Sequence, residues 1–218
     1  MQPLEAEVLA FPLIAEALPL PPPASLDPVL DATITCVVRH GLAKTSLSDI
    51  ARELGVAPST VYRKVGSVEN AAALVSAREG HRLLQRMPEV IAGIEGPRAI
   101  TVFLAESITT TAEHPMVAKI MQDEVDWMGR VATQRLEAAF AVSAAVAAPL
   151  LARAMDAGFV RRQDPVALAH WVARIGMVCL VAPPPGDLLG ALDALLLPVL
   201  DPDPAPATPP TKKRGARR

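Results

Sequence analysis

Between Thr45 and Leu74 the chain compresses two short helices, a tight turn and the start of a third helix into thirty residues, and this stretch constrains the fold more than any other. Ser46 is followed three residues later by Asp49, so a hydroxyl and a carboxylate can satisfy the free N–H groups of a helix start. Leu47, Ile50, Ala51 and Leu54 then recur with the spacing of a helix that buries one face. Gly55 can adopt the left-handed conformation that ends a helix, and Pro58, with no N–H to lose, suits the first turn of the next. A turn of about three residues is the length by which a helix-turn-helix sets its second helix across its first. That second helix, from Pro58 to about Val65, spends only Val61 and Val65 on an apolar face. The remaining Ser59, Thr60, Tyr62, Arg63 and Lys64 are the residue types that meet phosphates and base edges in a groove. With Thr45, Ser46 and Pro58 at the helix starts, they are the candidate DNA contacts. A polar face on an ordinary solvated helix is the plain alternative; the capped first helix and glycine turn weigh against it.

Read together, Thr45, Leu47, Asp49, Ile50, Ala51, Gly55 and Val56, then Thr60, Val61, Tyr62 and Arg63, then Gly66, Ser67, Glu69 and Leu74, resemble the DNA-binding signature of the TetR family of transcriptional regulators. The likeness extends over about residues 26–84. It implies a homodimer that binds a palindromic operator and is released by a small-molecule effector. One position departs from the pattern: where the family usually opens its fourth helix with a lysine that touches phosphate, this chain has Val68.

The chain has 218 residues and is 51% hydrophobic, enough for a sizeable core. Ala and Leu dominate at helical spacing and no alternating segment reads as a strand, so the expectation is an all-helical protein. Its charge is nearly balanced overall but unevenly placed. Residues 39–86 hold eight basic and four acidic side chains, and residues 87–204 hold eight basic and fourteen acidic. A basic segment followed by an acidic one fits a DNA-facing domain joined to one that avoids DNA. Cys36 and Cys179 each lie in an apolar helical run and read as separate buried thiols in a reducing cytoplasm.

In order, residues 1–24 form a proline-rich arm, apolar from Leu9 to Leu20 but carrying Glu5, Glu7 and Glu16 and no basic residue, a poor signal peptide. Residues 25–87 form the helix-turn-helix domain, opened by Asp27-Pro28 and closed by a long fourth helix on which Arg78, Arg82 and Arg86 are expected to face solvent. Residues 88–200 form a second helical domain for effector binding and dimerisation. Its breaks are expected at Pro88, His114-Pro115, Ala141, Asp156–Gly158 and Pro183–Gly186. Residues 201–218 are a disordered tail ending in Lys212, Lys213, Arg214, Arg217 and Arg218, suited to nonspecific attraction to DNA. The longest uncharged run, Ala138 to Ala152, is too short to cross a bilayer.

Two surfaces of the second domain carry expectations. Trp171, Ile175 and Val178 on one helix and Leu188, Leu192, Leu195 and Val199 on the next give more apolar surface than docking on one side requires. Such a helix pair can meet its symmetry mate in a four-helix interface. Phe103, Met121, Trp127, Met128, Phe140, Met155 and Trp171 are large or pliable groups suited to an apolar effector, although each alone reads more simply as core. Catalytic, cofactor and metal signatures are not found: no phosphate-binding glycine loop, no HExxH, and histidines that are scattered. The expectation is therefore an all-α cytoplasmic regulator with no cofactor, not an enzyme. A helical carrier or enzyme with an incidental helix-turn-helix, or a DNA-binding dimer without an effector, are the alternatives.

Overall fold

The computed structural model describes residues 21–123 and 136–202, and every regular element among them is helical. A 3₁₀ turn at Ala24–Leu26 leads into α1 (Asp27–His40), followed by α2 (Leu47–Leu54), α3 (Pro58–Val65) and α4 (Val68–Val90). The second part contains α5 (Arg98–Glu113), α6 (Pro115–Asp123), α7 (Leu136–Asp156), α8 (Pro165–Val181) and α9 (Leu188–Leu200).

Local chemistry sets the helix ends. The Ser46 hydroxyl accepts from the Asp49 N–H, while the Asp49 carboxylate accepts from the Ser46 N–H at 3.0 Å, a complete capping box. Gly55 closes α2 at φ 67, ψ 32, the left-handed geometry that a side chain would oppose. Ser67 caps α4 by accepting from Asn70 N–H, and the Asn70 amide donates to the Val65 carbonyl at 2.8 Å, closing the α3–α4 corner. Asp164 and Asp187 cap α8 and α9 in the same manner, with prolines or small residues in the first turns.

Two main cores follow from the apolar stripes. Val29, Leu30 and Val37 of α1 meet Ile50 and Ala51 of α2, Val61 and Val65 of α3, and Ala71 and Val75 of α4. Each such aliphatic side chain contributes about 1.5–3 kcal/mol by leaving water, which is what holds helices too short to be stable alone. This core is completed from outside the first domain: Met116 and Ile120 of α6 are buried in it against α1. The second core gathers Ile108 of α5, Ala144, Leu151 and Met155 of α7, Leu168 of α8, and Leu192, Leu196 and Leu200 of α9. A smaller cluster, Met87 with Val146 and the half-buried Phe103 and Leu150, joins the end of α4 to α5 and α7.

Three expectations are corrected. Arg78 does not lie on a solvated face; its side chain is only 6% exposed, and its guanidinium reaches Asp27 at 3.1 Å, Asp31 at 2.8 Å and Glu79 at 2.9 Å. Burial opposes its charge, but hydrogen bonds to those carboxylates more than offset it and raise its pKa. Pro88 does not end α4, because it falls in the last turn where one lost N–H is tolerated, and the helix closes at Val90. There is also no break at Ala141: α7 runs unbroken from Leu136 through Pro149 to Asp156, its Ala-rich sequence favouring continuation. Of the two thiols, which form no disulfide, Cys36 is buried and Cys179 only half-buried.

Candidate nucleic-acid interface

The reading surface is built by dividing α3 into two faces. Val61 and Val65 turn inward, 0% and 2% exposed, and lock the helix to α1 and α2. That orientation leaves Pro58, Ser59, Arg63 and Lys64 exposed, Thr60 half-buried and Tyr62 standing 64% exposed. A tyrosine ring so exposed gains little from its own fold, whereas its ring and hydroxyl can both be used by a groove. Pro58 serves at the first position of α3, where its missing N–H costs nothing.

At the start of α2 the candidates are already committed to structure. Thr45 is buried and its hydroxyl donates to the Gly41 carbonyl at 2.7 Å, pinning the α1–α2 loop. Ser46 stays exposed, yet its hydroxyl and N–H are both engaged with Asp49. These hydrogen bonds from Ser46, with Arg52 beside it, hold the Asp49 carboxyl below its usual value. Both residues therefore position the reading unit, whatever else their backbone touches.

The cations around this face differ in availability. Arg39 pairs with Glu53 at 3.0 Å and Arg52 with Asp49 at 2.9 Å. Lys44 and Arg63 are exposed and make no ion pair among the described residues. Lys44 was not among the sequence candidates; its charge two residues before the α2 cap was the signal available. Lys64 donates to the Ser25 carbonyl at 3.2 Å, tying α3 to the entry of α1. Val68, in the family's usual lysine position, is half-buried against the first core. Beneath the surface, burial and then the nearby Glu53 carboxylate push the Cys36 thiol up, so it stays protonated.

Behind the reading unit, the α5–α6 junction carries His114. Its Nδ1 is buried without a hydrogen-bond partner among the described residues. Burial, opposed by Glu79 and assisted by Arg78, depresses its pKa, so the ring is neutral at pH 7.

The remaining candidates are dispersed. Met155 lies in the second core and Phe103 in the small cluster with Met87. Met121 is half-buried on α6. Phe140 is buried, with the Arg174 guanidinium 4.6 Å from its ring centroid and held there by Glu137 at 3.2 Å. Trp127 and Met128 lie outside the described residues.

Trp171 instead points outward at 65% exposure, beside Val178, Leu195 and Val199 at 64%, 56% and 44%. Trp171, Leu195 and Val199, with Ile175, border a shallow apolar groove of about 350 Å³ between α8 and α9. Leu192 belongs to the core, while Leu188 and Ile175 are half-buried against it. On α9, Leu192, Leu196 and Leu200 are buried while Leu195 and Val199, on the adjoining side of the helix, are exposed.

The described residues thus form a capped helix-turn-helix on a helical body with an exposed apolar helix pair. Residues 29–67 match the family of bacterial regulatory proteins described as the tetR family. A TetR-family transcriptional regulator from Pectobacterium atrosepticum is similar in fold, with a TM-score of 0.62 at 15% identity over 88% of this chain and 99% of that one. QsdR, a transcriptional repressor from R. erythropolis, gives 0.58 at 20% identity over 82% and 96%. SmeT, the repressor of the Stenotrophomonas maltophilia multidrug efflux pump SmeDEF, gives 0.57 at 23% identity over 85% and 96%, and is also solved with triclosan. A search of curated proteins gives no sequence match. Residues 29–67 are thus similar to the tetR family, and the chain shares the fold of solved TetR-family transcriptional regulators.

Proposed function

We propose that the protein is a transcriptional repressor that binds a palindromic operator as a homodimer and leaves it when a small apolar effector binds the second domain. The observation that carries this reading is the division of α3, with valines fully inward and Tyr62, Arg63 and Lys64 outward on a rigidly capped unit. In the proposed complex α3 enters the major groove, Arg63, Lys64 and Lys44 take phosphates or guanines, and Ser59, Thr60 and Tyr62 add hydrogen bonds and a ring contact. Thr45, Ser46 and Pro58 set the pose.

Two such helices related by a two-fold would enter major grooves about 34 Å apart, which calls for a palindromic site. The outward line Trp171, Val178, Leu195 and Val199 supplies the two-fold contact, each copy covering the other's apolar surface. The effector reading rests on the pliable apolar groups of α5 to α8 and on the family likeness. Similar structures include one solved with triclosan, which speaks for that protein. Release would follow if the effector favours a dimer with a different spacing of its reading helices.

The test is fluorescence anisotropy on DNA flanking the gene. Affinity should fall by roughly a thousandfold between about 50 and 200 mM salt if six or more phosphates are neutralised by the dimer. Tyr62→Ala with Lys64→Ala should abolish operator binding with an unchanged circular dichroism spectrum. Salt-insensitive or absent binding would sink the reading.

A further inference from the structure

A second groove, of about 170 Å³, opens directly beside the reading helix. Its floor is apolar, from Pro28, Val29, Val56 and Val61, and its rim carries Thr60 and Lys64. Val56 is 41% exposed there, at the turn between α2 and α3. This is an apolar surface at a place where a DNA contact would want charge. It invites an occupant from the chain itself.

The occupant is indicated by where the chain enters. Ser25 lines the groove, and its carbonyl already receives the Lys64 ammonium at 3.2 Å. Residues 1–20 therefore attach within a few residues of the site, joined through Pro21–Pro23, of which Pro23 is extended at φ −53, ψ 137. Their chemistry complements both parts of the groove. Leu9, Phe11, Leu13, Ile14 and Leu18 suit the floor, while Glu5, Glu7 and Glu16, with no Lys or Arg among them, suit a rim that carries Lys64, with Arg63 next to it in α3. The same cations are the ones proposed to meet phosphate. An acidic segment held there would compete with DNA for them.

We propose that residues 1–20 dock in this groove and place their carboxylates against the cations of α3, so that the N-terminal arm restrains the protein's own DNA binding. The proposal rests on the DNA-binding reading of α3. A tethered segment faces its site at an effective concentration of order 1 mM, so even a contact with a dissociation constant near ~0.2 mM lowers DNA affinity about fivefold. Because arm and DNA compete for the same cations, the restraint lowers affinity for every sequence by the same factor.

The experiment compares the full chain with a form lacking residues 1–20 and with a Glu5→Gln, Glu7→Gln, Glu16→Gln variant, all on a random-sequence duplex at low salt. Removal should tighten binding about fivefold, the glutamine variant should recover a large part of that gain, and a synthetic peptide of residues 1–20 added to the shortened form should reverse it. A scrambled peptide of the same composition controls for charge alone. Equal affinity of the two forms overturns the proposal, as does weaker binding after removal, which would make the arm a DNA-gripping element. Amide resonances of Val56, Thr60 and Val61 give a readout without DNA. They should shift between the two forms. If neither form binds DNA the regulator reading fails, and unshifted amides then overturn arm docking as well.

Discussion

The first four helices and the last two solve opposite problems with the same material. In α2 and α3 the apolar residues are few and all turn inward, leaving a polar face with nothing to bury. In α8 and α9 the apolar residues run around the helix, so that Leu192 and Leu196 fill the core while Leu195 and Val199 remain in water. An outward leucine or tryptophan on a monomer is ordinary, but Trp171, Leu195 and Val199 border one groove, and Val178 is exposed two turns along α8 from Trp171. The difference teaches where each partner belongs. A polar, cationic face is suited to a charged polymer, and a contiguous apolar one to another copy of itself.

The largest expected break in that contrast comes from making the second face resemble the first. Trp171→Asp with Leu195→Asp should leave each chain folded, because both side chains are exposed, yet halve the mass found by sedimentation and weaken operator binding at least a hundredfold. An unchanged mass would show that the partner surface lies elsewhere. Next in size is Ile50→Ala, which opens a hole in a fully buried site and should cost about 2–4 kcal/mol in denaturant unfolding. Arg78→Met removes the cation that ties α4 to the start of α1. Since its carboxylate partners are themselves 30–67% exposed, roughly 1–2 kcal/mol is expected, well short of a fully buried pair.

The smallest effect is Ser46→Ala, about 1 kcal/mol from the lost cap. It carries a pH signature. The Asp49 carboxyl is held below its usual value near 3.8 in the folded chain, so the stability it contributes is present above that value and lost as pH falls through the lower, folded one. Wild type and Ser46→Ala should accordingly differ in melting temperature near neutrality and converge in strong acid. A gap that persists below pH 3 would point to something other than the capping box.

What the sequence made legible was whatever depends on neighbours. Ser46 with Asp49, the left-handed Gly55, Pro58 and the aspartates before α8 and α9 all act within a turn of chain, and each sits where its spacing implies. Arg78 was misread because Arg82 and Arg86 follow it at helical spacing, and its true partners on α1 lie some fifty residues away. Met116 and Ile120 gave no sign of joining the first core, since a short amphipathic helix does not announce which surface it meets. That Met155 joins the second core and Phe103 the smaller cluster was likewise not legible: residue type marks an apolar environment, and only tertiary packing says which one.

The presence of Met116 and Ile120 among the α1–α4 side chains bears on how such a chain could be taken apart or recombined. A head cut after Met87 would lose two buried members of its own core and should be poorly folded, however complete its DNA-reading surface looks. A chimera that grafts this head onto a foreign body would need a donor helix in place of α6, bearing a methionine-sized and an isoleucine-sized group four residues apart. Met116 and Ile120 thus tie α6 to the packing of α1–α4 across the boundary expected at residue 87.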